Sequence, residues 1–200
     1  MPEQRFKPLS IDEMTPDQRR IAERITSGPR GSLQGPFHPM LRSPGLADVW
    51  EPVGAYVRFR SVLPEPLKEL AILVTARHWT SQFEWWAHRR LALAAGLGEA
   101  VCDAVAAGRR PAAMSADETA IYEFATAVLE QHEVSDPVFA GVKDRFGEQG
   151  VIELIATVGH YCLVSMILNV DRHPVPDGAV PLRPLERPAA AKSYETRGNQ

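Results

Sequence analysis

The sequence predicts an all-α protein, and three observations support this prediction. Apolar residues recur every three or four positions in most segments, which is the period of an α-helix. No segment shows the period-two alternation of a half-buried β-strand. Helix-start sequences such as Ser115-Ala116-Asp117-Glu118 and helix-stop sequences such as Gly96-Leu97-Gly98 separate the apolar segments. We therefore expect a bundle of about seven or eight helices, followed by an extended arm rich in proline.

The first predicted helix begins at Thr15-Pro16-Asp17, where threonine can cap the helix and proline fits its first turn. Residues 1–14 are expected to form a loosely ordered arm before it. Residues 28–45 contain four glycines and four prolines, so they are predicted to be a long loop. This loop also carries aromatic and apolar side chains, which a solvated linker does not need. We expect it either to cover a pocket or to contact a neighbouring subunit.

Seven further helices are predicted, each bounded by proline, glycine or a capping residue. Their ranges are 44–60, 66–77, 81–95, 99–107, 115–129, 136–146 and 148–170. The last one is the most apolar segment of the chain, so it should cross the middle of the core; His160 and Ser165 are its polar exceptions. After Asp171, five prolines predict an extended C-terminal arm over residues 171–200. Residues 15–170 then form the single folded domain.

The composition is that of one ordinary globular domain. The chain has 200 residues, of which 44% are hydrophobic and 24% are charged. A net charge of −3 and a pI near 6.1 argue against a surface for nucleic acid or an anionic membrane. The amino terminus lacks the apolar region of a signal peptide, and polar residues interrupt every apolar run, so no membrane span is predicted. We expect a cytoplasmic protein.

The candidate functional site lies between Glu69 and His88. Glu69 belongs to a helix that is apolar over most of its surface, so its buried carboxylate needs a partner. On the next helix, Ser81, Glu84 and His88 occupy positions i, i+3 and i+7, which share one face. These side chains are typical of a pocket wall. The alternative is structural, with Ser81 and Glu84 forming a capping box and Glu84 and His88 forming a surface pair.

Glu69, Ser81, Glu84 and His88, together with Ala92 and the Gly-Leu-Gly stop, resemble the carboxymuconolactone decarboxylase family, which includes the alkylhydroperoxidase AhpD-like proteins. The resemblance covers about residues 44 to 130. In the peroxidase branch, the matching positions hold Glu, Cys, Cys and His, and the two cysteines carry the redox chemistry. Here the two thiol positions hold serine and glutamate. Peroxidase activity is therefore not expected, because thiol–disulfide exchange needs a thiolate.

The resemblance implies acid–base decarboxylation of a small lactone or carboxylic acid. His88 is the candidate acid or base, because its ordinary pKa is near 6.5, and Glu69 or Glu84 is expected to orient it or to hold a proton. No metal or organic cofactor is expected. Cys102 and Cys162 lie far apart without zinc-ligand spacing, and both are expected in the core.

The resemblance also implies that side chains near this motif bind the small-molecule substrate. Arg77 or His78 is expected to hold its carboxylates, because arginine matches a carboxylate bidentately. Trp85 and its neighbouring tryptophans are expected to supply apolar walls, and Ser81 a polar contact. The family further implies a homo-oligomer, either a trimer or a hexamer.

Two alternatives remain open at this point. A peroxidase of the AhpD type would place Cys102 or Cys162 in the pocket, where it would react with peroxide. A non-catalytic binding protein of the same fold would use His88 for stability alone.

Overall fold

The computed structural model describes residues 3–185. Within that range the protein is all-α, as the sequence predicts, with eight α-helices, no β-strand and one short 3-10 turn at Ile11–Glu13. The helices are α1 (Pro16–Ser27), α2 (Phe37–Met40), α3 (Pro44–Phe59), α4 (Glu65–His78), α5 (Gln82–Ala94), α6 (Glu99–Ala106), α7 (Ala116–Glu130) and α8 (Asp136–Asp171).

Local capping explains where several helices begin. The Thr15 hydroxyl accepts a hydrogen bond from the Gln18 amide, and proline occupies the first turn of α1. Ser115 and Glu118 form the reciprocal capping box that starts α7. Both helix starts were predicted from short sequence signals, because a cap depends only on neighbouring residues.

Helix α4 lies at the centre of the domain, where it packs against α5, α6, α7 and α8. Every residue of α4 from Leu67 to Arg77 is buried. Its apolar side chains form the main core with Phe124 of α7 and Leu154 of α8, among others. Because α4 is enclosed on all sides, its sequence is apolar over most of its surface, and its three buried charged side chains, Lys68, Glu69 and Arg77, must find partners inside the protein.

Helix α8 is long and bends at Gly147, whose φ of 69° lies in the left-handed region. This glycine divides the helix into the two segments that were predicted as separate helices, because glycine adopts this conformation at little cost. By length and composition α8 could cross a membrane, but half of its most apolar window is buried inside the domain. Such burial is typical of a core helix in a compact domain.

The segment between α1 and α3 is more ordered than a simple loop. It contains the short helix α2, which the sequence analysis did not predict. Phe37 and Leu41 are buried there in a second apolar cluster with Ile21 and Ile25 of α1. The apolar side chains of this segment therefore pack against its own domain.

The N-terminal segment is anchored, in contrast to the predicted loose arm. The backbone amides of Arg5 and Phe6 donate to the main-chain oxygen and to Oδ1 of Asp171, each at 2.8 Å. Gln4 Nε2 donates to Asp171 Oδ2, also at 2.8 Å. The Asp171 side chain is fully buried, so these bonds are shielded from water.

After α8, residues 173–185 form no helix or strand, and a turn lies at residues 177–178. Leu182 is buried, and its amide and carbonyl exchange hydrogen bonds of 2.8 and 3.0 Å with the side-chain amide of Gln82. The C-terminal arm is thus fixed to the start of α5. The rest of the predicted arm, residues 186–200, lies outside the described residues.

Candidate active site

Helices α4 and α5 form a hairpin, which places Glu69 opposite His88. The turn between them passes through Thr80, a non-glycine residue with a φ of 48°. The amide of Ser81 donates to the Ala76 carbonyl and closes this turn. Two side chains that are nineteen residues apart in the sequence thereby come into direct contact.

Four charged side chains form a continuous line, which we call the relay: Arg58, Glu69, His88 and Glu84. Arg58 Nη1 donates to Glu69 Oε1 at 3.2 Å. His88 Nδ1 is 2.7 Å from the other oxygen, Glu69 Oε2, and His88 Nε2 is 2.9 Å from Glu84 Oε1. Glu69 is 0% exposed, Glu84 3% and His88 6%, so little water competes for these hydrogen bonds.

Burial and the neighbouring charges have opposite effects on the pKa of His88. Burial disfavours the imidazolium, but the carboxylates of Glu84 and Glu69 outweigh it and raise the pKa of His88 to about 9. At Glu69, burial alone would raise the pKa, whereas His88 and Arg58 lower it below its ordinary value. Near pH 7 the relay therefore contains an imidazolium held beside an ionised Glu69.

The relay geometry also decides between the two interpretations of Glu84. Ser81 precedes α5 as its N-cap residue but makes no side-chain capping bond. The Glu84 carboxylate turns toward His88 instead of the helix end. The capping-box interpretation is therefore wrong, and the Glu84–His88 pair is buried rather than exposed.

A cavity of about 380 Å³ opens beside the relay. Glu84, His88 and Arg58 lie in its wall, whereas the fully buried Glu69 lies behind His88. About half of the other residues in the wall are aromatic or basic, namely Arg30, Phe37, Trp50, Phe59, Phe83, Trp86, Arg90, His160 and Tyr161; the rest include Met40, Glu51 and Leu91. Arginines and aromatic rings together suit a small, flat, anionic molecule.

Residues 29–40 form one side of this cavity, through Arg30, Phe37 and Met40 among others. The loop therefore lines a pocket, as one of the two sequence-based expectations has it. Contact with a neighbouring subunit stays a prediction. The Arg30 guanidinium lies 4.9 Å from the centre of the Phe37 ring, and its Nε lies 3.3 Å from Glu51 Oε1.

Four of the predicted binding residues do not line this cavity. Arg77 Nη1 donates to the Ala106 carbonyl at the end of α6, at 3.2 Å, which is the helix-terminal position that favours a cation. Arg77 and His78 line a different cavity, of about 730 Å³. Trp85 is part of the main core. Ser81 Oγ is buried and has no hydrogen-bond partner within residues 3–185.

Sequence reasoning missed several residues of the cavity wall. Arg58 and Trp50 lie on α3 and Tyr161 on α8, so no fixed spacing along the chain connects them to His88. Arg58 Nη1 is 3.5 Å from the Tyr161 hydroxyl, and burial raises the pKa of that hydroxyl. For His160 a signal did exist, because it interrupts the most apolar helix of the chain.

Both cysteines lie away from the site. Cys102 is buried in the main core, and Cys162 is half-buried at the edge of that core. Neither lines the cavity beside the relay. Burial raises the pKa of both thiols, which disfavours the reactive thiolate. Within the described residues, no group of three or more His, Cys, Asp or Glu side chains has the geometry to hold a metal ion.

Comparison with known proteins identifies the fold. No protein-family model matches the chain, and no curated protein matches it either. Among solved structures, an uncharacterized peroxidase-related protein from Ralstonia eutropha, described as an alkylhydroperoxidase AhpD core, aligns over 90% of this chain and 99% of its own, with a TM-score of 0.71 and 14% identity. A putative antioxidant defence protein AhpD from Agrobacterium tumefaciens covers 69% of this chain and 95% of its own, with a TM-score of 0.57 and 17% identity.

A third similar structure is the debrominase Bmp8 in complex with 2,3,4-tribromopyrrole. It covers 86% of this chain and 91% of its own, with a TM-score of 0.65 and 14% identity. These likenesses show that the chain has the AhpD-like fold, the fold that the sequence resemblance implies.

Proposed function

We propose that the protein is a cofactor-independent lyase that decarboxylates a small lactone or carboxylic acid by acid–base chemistry. The observation that carries this proposal is the relay: a buried imidazolium held between two carboxylates, with Glu84 and His88 in the wall of a cavity. A proton donor that stays charged near pH 7 and is shielded from water fits the protonation of a carbanion.

Decarboxylation breaks the bond between the carboxylate and the adjacent carbon, and CO2 leaves. The electron pair moves into a conjugated carbonyl, whose oxygen becomes negative. Arg58 and the Tyr161 hydroxyl lie in the cavity wall, where they can donate hydrogen bonds to that oxygen. A proton then passes from His88 Nε2 to Glu84 and from Glu84 to the substrate carbon, and water restores the proton of His88.

The composition of the cavity wall is suited to a planar, anionic substrate. Arg30, Arg58 and Arg90 surround it together with Phe83 and Trp86. A debrominase of the same fold binds 2,3,4-tribromopyrrole, and we propose that the cavity here accepts a ring of similar size. The conjugated lactone ring of 4-carboxymuconolactone is the test substrate that fits this description.

The alternative is a peroxidase, because one similar structure is described as peroxidase-related and another as a putative antioxidant defence protein. Thiol-based peroxidase chemistry needs a thiolate within reach of peroxide in the pocket. The wall of the cavity beside the relay contains neither Cys102 nor Cys162, so the geometry favours acid–base chemistry.

We also propose a cytoplasmic homo-oligomer, a trimer or a hexamer. Leu46, Val49 and Val53 of α3 are exposed on one face of the helix, and Ile152 and Met166 are exposed on α8, which packs against it. An apolar surface of this kind is typical of a protein interface. Light scattering during size-exclusion chromatography tests the proposal, and a monomer would overturn it.

Loss of lactone absorbance and release of CO2 from 4-carboxymuconolactone test the proposed activity directly. We expect turnover by the wild-type protein and a loss on the order of 100-fold or more in a folded His88→Gln variant. Glu133→Gln, which removes an exposed carboxylate that is not part of the cavity wall, is the control and should retain activity. Equal rates for wild type and His88→Gln would overturn the proposal.

A further inference from the structure

His160 lies in the cavity wall but outside the relay. Its ring centre lies 4.8 Å from that of Trp50 and 5.1 Å from that of Tyr161. Its Nδ1 atom is buried and has no hydrogen-bond partner in the described part of the chain. A buried polar atom without a partner costs stability, so its presence on an apolar helix requires an explanation.

The structure also keeps space for the His160 ring. A Cβ built on Gly54 of α3 would lie 2.5 Å from His160 Cε1, 2.8 Å from His160 Nε2 and 3.0 Å from Arg30 Nη2. Glycine is unfavourable in the middle of a helix, yet any larger residue would collide with this ring. The edge of His160 and the end of Arg30 therefore meet over the same point of α3.

Burial and the charges around His160 determine its protonation state. Burial, together with the positive charges of Arg30 and His88, lowers the pKa of His160 to about 3. Arg30 itself is paired with Glu51 of α3. Near pH 7, His160 is thus an uncharged imidazole with one donor and one acceptor nitrogen, whereas His88 is an imidazolium.

We propose that His160 is a substrate-binding residue, which holds a carboxylate or carbonyl oxygen of the ligand together with Arg30 while the relay acts on another part of the same molecule. Because Nδ1 is enclosed by protein, the uncharged imidazole donates to the ligand through Nε2–H, the nitrogen on the same side as the end of Arg30, and the guanidinium supplies the charge. The inference rests on the proposed function for the reacting group, but the binding contact can be measured without turnover.

Two substitutions separate a binding role from a structural role. His160→Phe keeps an aromatic ring against Trp50 and removes both nitrogens, and His160→Asn keeps a hydrogen-bonding group. With 4-carboxymuconolactone, we expect His160→Phe to raise KM about tenfold, which is the loss of one hydrogen bond, and to change kcat by less than about threefold. His160→Asn should recover part of the KM.

Binding without turnover is measured by calorimetric titration with terephthalate, a planar dicarboxylate. We expect its Kd to rise about tenfold in His160→Phe and by a smaller factor in Gly54→Ala, where the added methyl group displaces the ring. Gly159→Ala is the matched control, because a Cβ at this exposed position of α8 meets no atom within 4 Å.

The outcomes are distinct. Two results together would support the inference and overturn the proposed function: His160→Phe binds terephthalate more weakly than the wild type, and the wild type does not turn over the lactone. Equal affinities for wild type and His160→Phe, including no binding to either, would overturn the inference. A lower melting temperature with unchanged KM and Kd would also overturn it, because His160 would then be structural.

Discussion

Replacing His88 with glutamine changes how the stability of the protein depends on pH. The pKa of His88 is about 9 in the folded protein, against 6.5 for an ordinary histidine. Because the folded value is the higher one, the imidazolium stabilises the folded state fully below pH 6.5, and this contribution is lost as the pH rises to 9. Each pKa unit corresponds to 1.36 kcal/mol, so the contribution is about 3 kcal/mol.

The assay is urea unfolding of wild type and His88→Gln at pH 6.0, 7.5 and 9.5. We expect the free energy of unfolding of the wild type to fall by about 3 kcal/mol more than that of the variant across this range. Proton NMR titration of the His88 ring gives an independent value, and Glu84→Gln should lower its pKa by removing one of the two carboxylates. Parallel pH curves for wild type and His88→Gln, or a His88 that titrates near 6.5 in the wild type, would refute the electrostatic argument.

Three further predictions follow from the contacts. Arg58→Gln removes the cation that pairs with Glu69, and it should lower kcat for 4-carboxymuconolactone on the order of 100-fold. An unchanged kcat would exclude Arg58 from oxyanion stabilisation. Asp171→Ala removes the side-chain acceptor that holds the N-terminal segment. It should lower the free energy of unfolding, measured in urea, by about 1–3 kcal/mol and speed proteolysis of residues 3–14. Equal stability of variant and wild type would show that these bonds contribute nothing. A variant combining Cys102→Ala with Cys162→Ser should retain lactone turnover within about twofold, since neither thiol lies at the cavity wall; a loss of activity with the fold intact would support a thiol mechanism.

The helices were predictable where their signals are local. The Thr15 and Ser115 caps each depend on four neighbouring residues, and Gly147 breaks α8 because its backbone needs a positive φ. The short helix α2 was missed because it consists of only four residues, Phe37–Met40. Its formation depends on packing against α1, which the local sequence does not reveal.

The candidate site was only partly predictable for a similar reason. Glu69, Glu84 and His88 lie on one helical hairpin, so helical spacing along the chain was enough to place them near each other. Arg58 and His160 approach from α3 and α8, and their proximity depends on how the helices pack. Arg77 and Trp85 have suitable chemistry, but their helices turn them toward the end of α6 and the core.

The bonds between the N-terminal segment and Asp171 have a consequence for synthesis on the ribosome. Phe6 and Asp171 are separated by 165 residues, so a segment made before α1 is held by the last residue of α8. The segment cannot dock until nearly the whole domain has left the exit tunnel, and closing so long a loop carries a large entropic cost. A nascent chain stalled before Asp171 should therefore expose residues 3–6 to protease.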